Sequence, residues 1–158
     1  MKFSGIAVRI RRLRMHEVSS VANLIMLSLY GIDSKYYPKK VLNYVAGCYS
    51  QKNIRKLADS GAREIFVATD GNRIAGTIQL TQDGWVCGLF VHPDFQNCGI
   101  GRKLMRKITV VARAHGFDML RMHAAINSVG FYKKLGFRIV KPVEHKNAGK
   151  TYWMIARL

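Results

Sequence analysis

The stretch Gln96-Asn97-Cys98-Gly99-Ile100-Gly101-Arg102 decides how this sequence is read. It joins two segments of different rhythm. Before it, Trp85–Val91 reads as a short strand closed by His92-Pro93. After it, Ile100, Leu104, Ile108, Val111 and Ala112 fall on one face of a helix, with Arg102, Lys103, Arg106, Lys107 and Arg113 elsewhere and Gly116 at its end. Two glycines at a helix entrance let the backbone approach a ligand without side-chain obstruction. The first helical turn has free N–H groups and the positive end of the dipole, an arrangement suited to a pyrophosphate. Arg102 and Lys103 add fixed charge beside it. A helix cap without a ligand would look the same. Two other nucleotide motifs are excluded: no Gly-Lys-Ser/Thr follows, so this is not a P-loop, and position 104 is Leu, so it is not a dinucleotide GxGxxG.

Outward from this turn the elements follow in order. Residues 6–14, with Val8 and Ile10, read as a strand. Residues 16–30 follow a helical period through Val18, Val21, Ile25 and Leu29, ended by Gly31 and Asp33. Pro38 opens a second helix running to about residue 59, before Gly61. Glu64–Thr69 and Arg73–Leu80 are strands joined by the turn Asp70-Gly71-Asn72, and Asp83-Gly84 turns into the third strand of the meander. Met119–Ala125 is a strand, Asn127 caps a short helix stopped by Gly136, and 137–143 and 150–158 are the last two strands. The order β-α-α-β-β-β-α-β-α-β-β predicts one α/β domain over residues 1–158, a mixed sheet with helices against it.

Composition is that of a globular chain, except for charge. Twenty-six Lys and Arg against nine Asp and Glu give +17. Residues 1–63 carry 12 basic and 3 acidic side chains and residues 64–158 carry 14 and 6, so no detachable basic tail accounts for the excess. A body this basic attracts phosphates, nucleic acid or acidic surfaces, although a generally basic surface without a polyanionic ligand has the same composition. Cys48, Cys87 and Cys98 form no CxxC pair or zinc pattern, which points away from disulfides and metal and toward a reducing, cytoplasmic setting. No apolar run is long enough to span a membrane. Arg9, Arg11, Arg12 and Arg14 precede the first acid, Glu17, but the stretch reads as a strand entering a helix rather than a transit peptide.

The motif Gln96-x-x-Gly99-x-Gly101, within LFVHPDFQNCGIGRKLM, resembles the cofactor motif of the Gcn5-related N-acetyltransferase (GNAT) family. Asn127-Ser-Val-Gly-Phe131-Tyr132-Lys-Lys-Leu-Gly136-Phe137 resembles the family's second signature, and the element order resembles its fold. The resemblance is strongest over 85–140 and weakest in the first 60 residues. It implies a largely antiparallel mixed sheet of six to seven strands flanked by about four helices. It implies acetyl-CoA as co-substrate and an amine acceptor. The Cys and His spacing adds no metal, and the positive charge, which repels free polyamines, tilts the acceptor toward a protein N-terminus, a peptide or a small neutral or acidic amine. Position by position, Leu89, Phe90 and Val91 would pair with the pantetheine arm through their backbones. Backbone N–H groups of Gln96, Asn97, Cys98, Gly99, Ile100, Gly101, Arg102 and Lys103 would hold the pyrophosphate. Asn127 would touch the cofactor's arm, and Tyr132 would stand by the thioester sulfur.

Transfer needs a neutral amine, yet an alkyl ammonium has a pKa near ~10.4. A base, oxyanion donors and a proton for the departing thiolate are therefore required. Tyr132 is the candidate acid; a core tyrosine would carry the same signature. A backbone N–H near Leu89 is a candidate oxyanion donor. Family members often carry a Glu on the strand that here reads Trp85–Val91 and holds no acid. Asp33 and Glu64 remain as candidates, each equally readable as an ordinary surface charge, with bulk water or the backbone as the other proton acceptors, so the sequence names no base. Cys87 and Cys98 read as small apolar residues rather than nucleophiles, His92 as structural, and Tyr30, Tyr36 and Tyr37 either as an acceptor slot or as core. The charge keeps a second function in view, a basic RNA- or ribosome-binding module on the same scaffold. A homodimer is compatible with all of this.

Overall fold

The computed structural model describes residues 7–158. In chain order these hold β1 (Arg9–Arg12), α1 (Val18–Gly31), α2 (Lys39–Cys48), α3 (Gln51–Asp59), β2 (Arg63–Asp70), β3 (Arg73–Thr81), β4 (Val86–Val91), α4 (Ile100–Ala114), β5 (Met119–Ala125), α5 (Val129–Lys134), β6 (Arg138–His145) and β7 (Gly149–Arg157). The expected α/β class holds, and so does the element order except that three helices, not two, separate β1 from β2. Residue 6, the expected start of the first strand, lies outside the described residues.

The strands form two antiparallel sheets, β1-β2-β3-β4 and β5-β7-β6. A single parallel bridge, Trp85 to Arg121, is what links β4 to β5. Helices cover the first sheet on both faces, and β2 shows why. Ile65 and Val67 point into a core built with Val18, Val21, Ile25 and Leu29 of α1 and Ile54 of α3. Phe66 and Ala68 point the other way, into a core with Ile100, Leu104 and Ile108 of α4. The period of two along the strand thus divides its side chains between two cores.

Two details differ from the sequence reading. The helix expected from Pro38 to about residue 59 is broken into α2 and α3. Ser50 has extended backbone and its hydroxyl accepts from Asn53 N at 3.2 Å, starting a new helix. The break seats the Tyr49 ring edge-on against Phe90, centroids 5.3 Å apart. The second difference is in β4. Thr77 pairs with Phe90 and Gln79 with Cys87, so Gly88 and Leu89 together face Ile78. This is a β-bulge, and Gly88 carries it at φ +61°. A Cβ there would lie 3.0 Å from Tyr49 Cε1 and 3.1 Å from Gln79 Cδ.

The first strand is fastened to α1 by charge. Arg11 donates from Nη2 to Glu17 Oε1 at 2.6 Å and from Nη1 to Oε2 at 2.9 Å, and Arg14 N donates to Glu17 Oε2 at 3.0 Å. The Arg11 bond, chiefly, pulls the Glu17 carboxyl down to about 2 from an ordinary 4.5. A carboxylate with a lowered folded pKa contributes stability above its unfolded value and loses it as pH falls. Urea unfolding across pH should therefore show a loss between about 4.5 and 2 that Arg11→Ala removes. Gly88→Ala should cost about 1–3 kcal/mol, read as a lower Tm, because left-handed backbone and two close neighbours oppose the new methyl group.

Candidate active site

Where β4 and β5 part, a cleft of about 1000 Å³ opens. β4 forms one wall, and Leu89, Phe90 and Val91 all line it. β4 is hydrogen-bonded to β3 on one side, and beyond the Trp85 bridge its other edge has no strand partner among the described residues. An unpaired edge inside a cleft is a row of donors and acceptors available to an extended ligand. The bulge at Gly88–Leu89 lies in the middle of it.

The glycine turn closes one end of the cleft. Gln96 Nε2 donates to Val91 O at 2.8 Å, which ties the turn to the end of β4. Asn97 at φ +58° and Gly99 at φ +77° bend the chain sharply, and α4 starts at Ile100, anchored in the core. Gln96, Asn97, Gly99, Ile100, Gly101 and Arg102 line the cleft. Cys98 and Lys103 do not: the Cys98 thiol donates to Gln96 O at 3.4 Å, and the Lys103 amide already donates to Gly99 O at 3.1 Å inside the helix. The helical N–H groups of Ile100, Gly101 and Arg102 precede the first helical acceptor and sit at the positive end of α4.

Tyr132 and Asn127 stand farther along the cleft. Tyr132 is 8% exposed, with Phe131 and Phe137 set edge-on against its ring. Burial, helped by the charge of Asp33, holds its hydroxyl well above the ordinary tyrosine range. Asn127 does not act as the cap of α5; the capping position is Ser128. The Asn127 side chain reaches across the cleft instead, donating from Nδ2 to Asp33 Oδ1 at 2.9 Å. Its own Oδ1 is buried with no protein partner.

That contact separates the two acids left open by the sequence. Asp33, just after α1, is the carboxylate lining the cleft, and burial raises its pKa against the opposing Asn127 bond. Glu64 lies elsewhere, paired with Arg12 at 2.5 Å and with His115. Cys87 lines the cleft, but burial pushes its thiol up, away from the reactive thiolate. His92 Nδ1 accepts from Asp94 N at 3.1 Å and caps the turn after β4. Tyr36 and Tyr37 line the cleft, whereas Tyr30 is outside it and donates to Asn43 Oδ1.

Several lining residues carry no sequence signal of their own. The Tyr37 hydroxyl donates to Lys150 O at 2.6 Å and accepts from Ile126 N at 2.9 Å, so the segment leading into α2, the turn just after β5 and the β6–β7 hairpin meet on one oxygen. His123 stacks on Trp85 with centroids 4.9 Å apart and meets His145 edge-on at 5.1 Å. Burial, then His145, lowers the His123 pKa. Strand alternation would have placed His123 and His145 on one face, but only with the β5-β7-β6 pairing known. Among the described residues, no group of three or more His, Cys, Asp and Glu side chains is placed to hold a metal ion, and no helix is long and apolar enough to cross a membrane.

The fold has close parallels among solved structures. A GCN5-related N-acetyltransferase from Rhodopseudomonas palustris superposes with a TM-score of 0.86 at 19% identity, covering 98% of both chains. PaiA N-acetyltransferase from Thermoplasma acidophilum, solved in complex with coenzyme A, gives 0.81 at 18% identity over 97% of this chain and 100% of that one. In sequence, an uncharacterized N-acetyltransferase of Methanocaldococcus jannaschii is 28% identical over 138 residues, 81% of this chain and 59% of that protein. Peptidyl-lysine N-acetyltransferase YjaB of Escherichia coli is 34% identical over 64 residues, 40% of this chain and 42% of that one. The chain thus spans less than two thirds of the curated relatives it matches. The sequence profile of the acetyltransferase (GNAT) domain matches residues 32–156, across the cleft and nearly all its walls. The chain belongs to the GNAT acetyltransferase family.

Proposed function

We propose that this chain is a single-domain, acetyl-CoA-dependent N-acetyltransferase acting on a primary amine in the cytoplasm, where its three free thiols stay reduced. One observation carries the reading. A helix N-terminus, an unpaired strand edge, and a tyrosine with a carboxylate line one cleft. These suit, in turn, a diphosphate, an extended amide-bearing arm and a reacting acyl group. That PaiA N-acetyltransferase, of similar fold, was solved in complex with coenzyme A supports the reading.

In this reading the amides of Ile100, Gly101 and Arg102 grip the phosphates, and Leu89–Val91 extend the sheet onto the arm. Bound acetyl-CoA supplies the activated acetyl group as a thioester. The bulge at Gly88–Leu89 frees main-chain N–H groups from the regular ladder, and these face the developing oxyanion. Asp33 takes the proton from the acceptor ammonium, directly or through a water. Asn127 holds the Asp33 carboxylate by one amide N–H. Tyr132, kept protonated by burial, donates to the departing thiolate.

Isothermal titration should detect acetyl-CoA and CoA below millimolar concentration; no binding of either would end the proposal. Tyr132→Phe should lower kcat by about 10²-fold while leaving the acetyl-CoA Kd unchanged. The base must be deprotonated and its pKa is raised, so activity should fall as pH drops through the Asp33 titration. Asp33→Asn should lower kcat and remove that acid limb from the pH profile.

A further inference from the structure

The register of the second sheet gives its two faces different fates. Leu120, Met122 and Ala124 of β5 and Met154 of β7 pack into the core with Tyr132 and Phe137. Residues paired across antiparallel strands share a face, so the opposite face is also fixed by the pairing. One row across it is Arg121–Ile155–Arg138 and the next is His123–Trp153–Lys141. Neither Trp153 nor Ile155 belongs to either hydrophobic core. Among the described residues, no carboxylate forms an ion pair with Arg121, Arg138 or Lys141. From Met119 to Leu158 the chain carries eight Lys and Arg and one acid, Glu144. This face is therefore a short, half-buried apolar strip edged with cations that no carboxylate neutralises among the described residues.

The strip runs into the cleft. His123, Ala125 and Thr151 stand on the same face and line the cleft, as does Trp85 stacked on His123. A chain lying on the strip would lead its end toward Asp33, the carboxylate among the cleft's lining residues. The strip is edged with cations, whereas Asp33 is the carboxylate that the cleft offers beyond it.

We propose that this face docks an acidic peptide segment of the acceptor, so that the substrate is a protein or peptide amine flanked by Asp or Glu. The proposal rests on the N-acetyltransferase reading above. The ammonium is drawn to Asp33, and the acidic flank to Arg121, Arg138 and Lys141 across the Trp153–Ile155 strip. A second copy of this chain is disfavoured, because a symmetric contact would set these cations against each other. Single-stranded nucleic acid needs free ring faces on which bases stack. Here Trp85 stacks on His123, Trp85 and Trp153 lie 6.2 Å apart at 30°, and Lys141 Nζ sits 5.8 Å over the Trp153 ring. Rings engaged in this way offer a greasy surface more than a stacking platform.

The test uses the purified full chain with acetyl-CoA and matched peptides, each with one acceptor lysine and with acidic, neutral or basic flanks. The acidic peptide should show a KM lower by about tenfold or more, similar kcat, and a preference that weakens with salt. Arg121→Glu with Arg138→Glu and Lys141→Glu should abolish or invert the preference while leaving turnover of a small free amine and Tm unchanged. Should that triple variant fail to fold, Lys141→Glu alone serves, with a smaller shift. Equal KM for all three peptides, or a preference untouched by the substitutions, overturns the proposal. So does binding of an unstructured RNA oligonucleotide in place of any peptide preference. Turnover of the small amine with no peptide preference removes the docking surface alone; absent acetyl-CoA binding removes the transferase reading. In that second case, fluorescence anisotropy with the same peptides reads docking directly, and equal affinities count against it.

Discussion

β4 and β5 meet at one backbone bridge and then part, and the rest of the site follows from that separation. Main-chain donors and acceptors along a strand must find partners, in a neighbouring strand, in water or in a ligand. Here β4 keeps a neighbour on one side only. The bulge at Gly88–Leu89 adds twist to β4 where it diverges, and the Tyr49 ring and the Gln79 side chain occupy the space behind Gly88. The break between α2 and α3 belongs to the same arrangement, since it positions Tyr49 against Phe90. The cleft is thus maintained by packing on the far side of β4 as well as by the lack of a strand beside it.

Much of this was legible in the sequence, and the parts that were not share a cause. The α4 periodicity, the glycines before it and the meander β2-β3-β4 are local patterns, and they appeared where expected. Of residues 96–103, all but Cys98 and Lys103 therefore line the cleft. Asn127 was a local expectation that failed as a cap. Its amide serves a partner 94 residues away, on the far side of the cleft. Asp33 and Glu64 could not be ranked for the same reason. Each is an isolated acid in the sequence, and only the folded chain sets one in the cleft and the other against Arg12 and His115. The order β5-β7-β6 was equally hidden, because the last strand inserts between two earlier ones. With it went the placing of His123, Trp153 and Lys141 in one row.

The charge reads differently once the fold is known. As a total, +17 describes only attraction to anions. In place, the basic residues divide by position: Arg102 lines the cleft where α4 begins, Arg11 fastens β1 to α1, and Arg63 donates to the buried Gln79 at 2.8 Å. A lone carboxyl in such surroundings is electrostatically conspicuous. Asp33 is pushed toward its neutral form by burial and is offset by one amide N–H, so a cation arriving beside it replaces lost hydration.

The Tyr37 hydroxyl gives the far end of the cleft a mechanical character. One phenolic oxygen is shared by the backbone of Lys150 and Ile126, and Gly149 lies tight against the same ring. The hairpin tip and the segment leading into α2 are thus fastened through one side chain. Through Tyr37 the hairpin is held against the wall of the cleft beside Asp33, whose main-chain carbonyl accepts from Tyr37 N at 3.0 Å. Without the hydroxyl, the Lys150 carbonyl and the Ile126 amide would lose the partner they share.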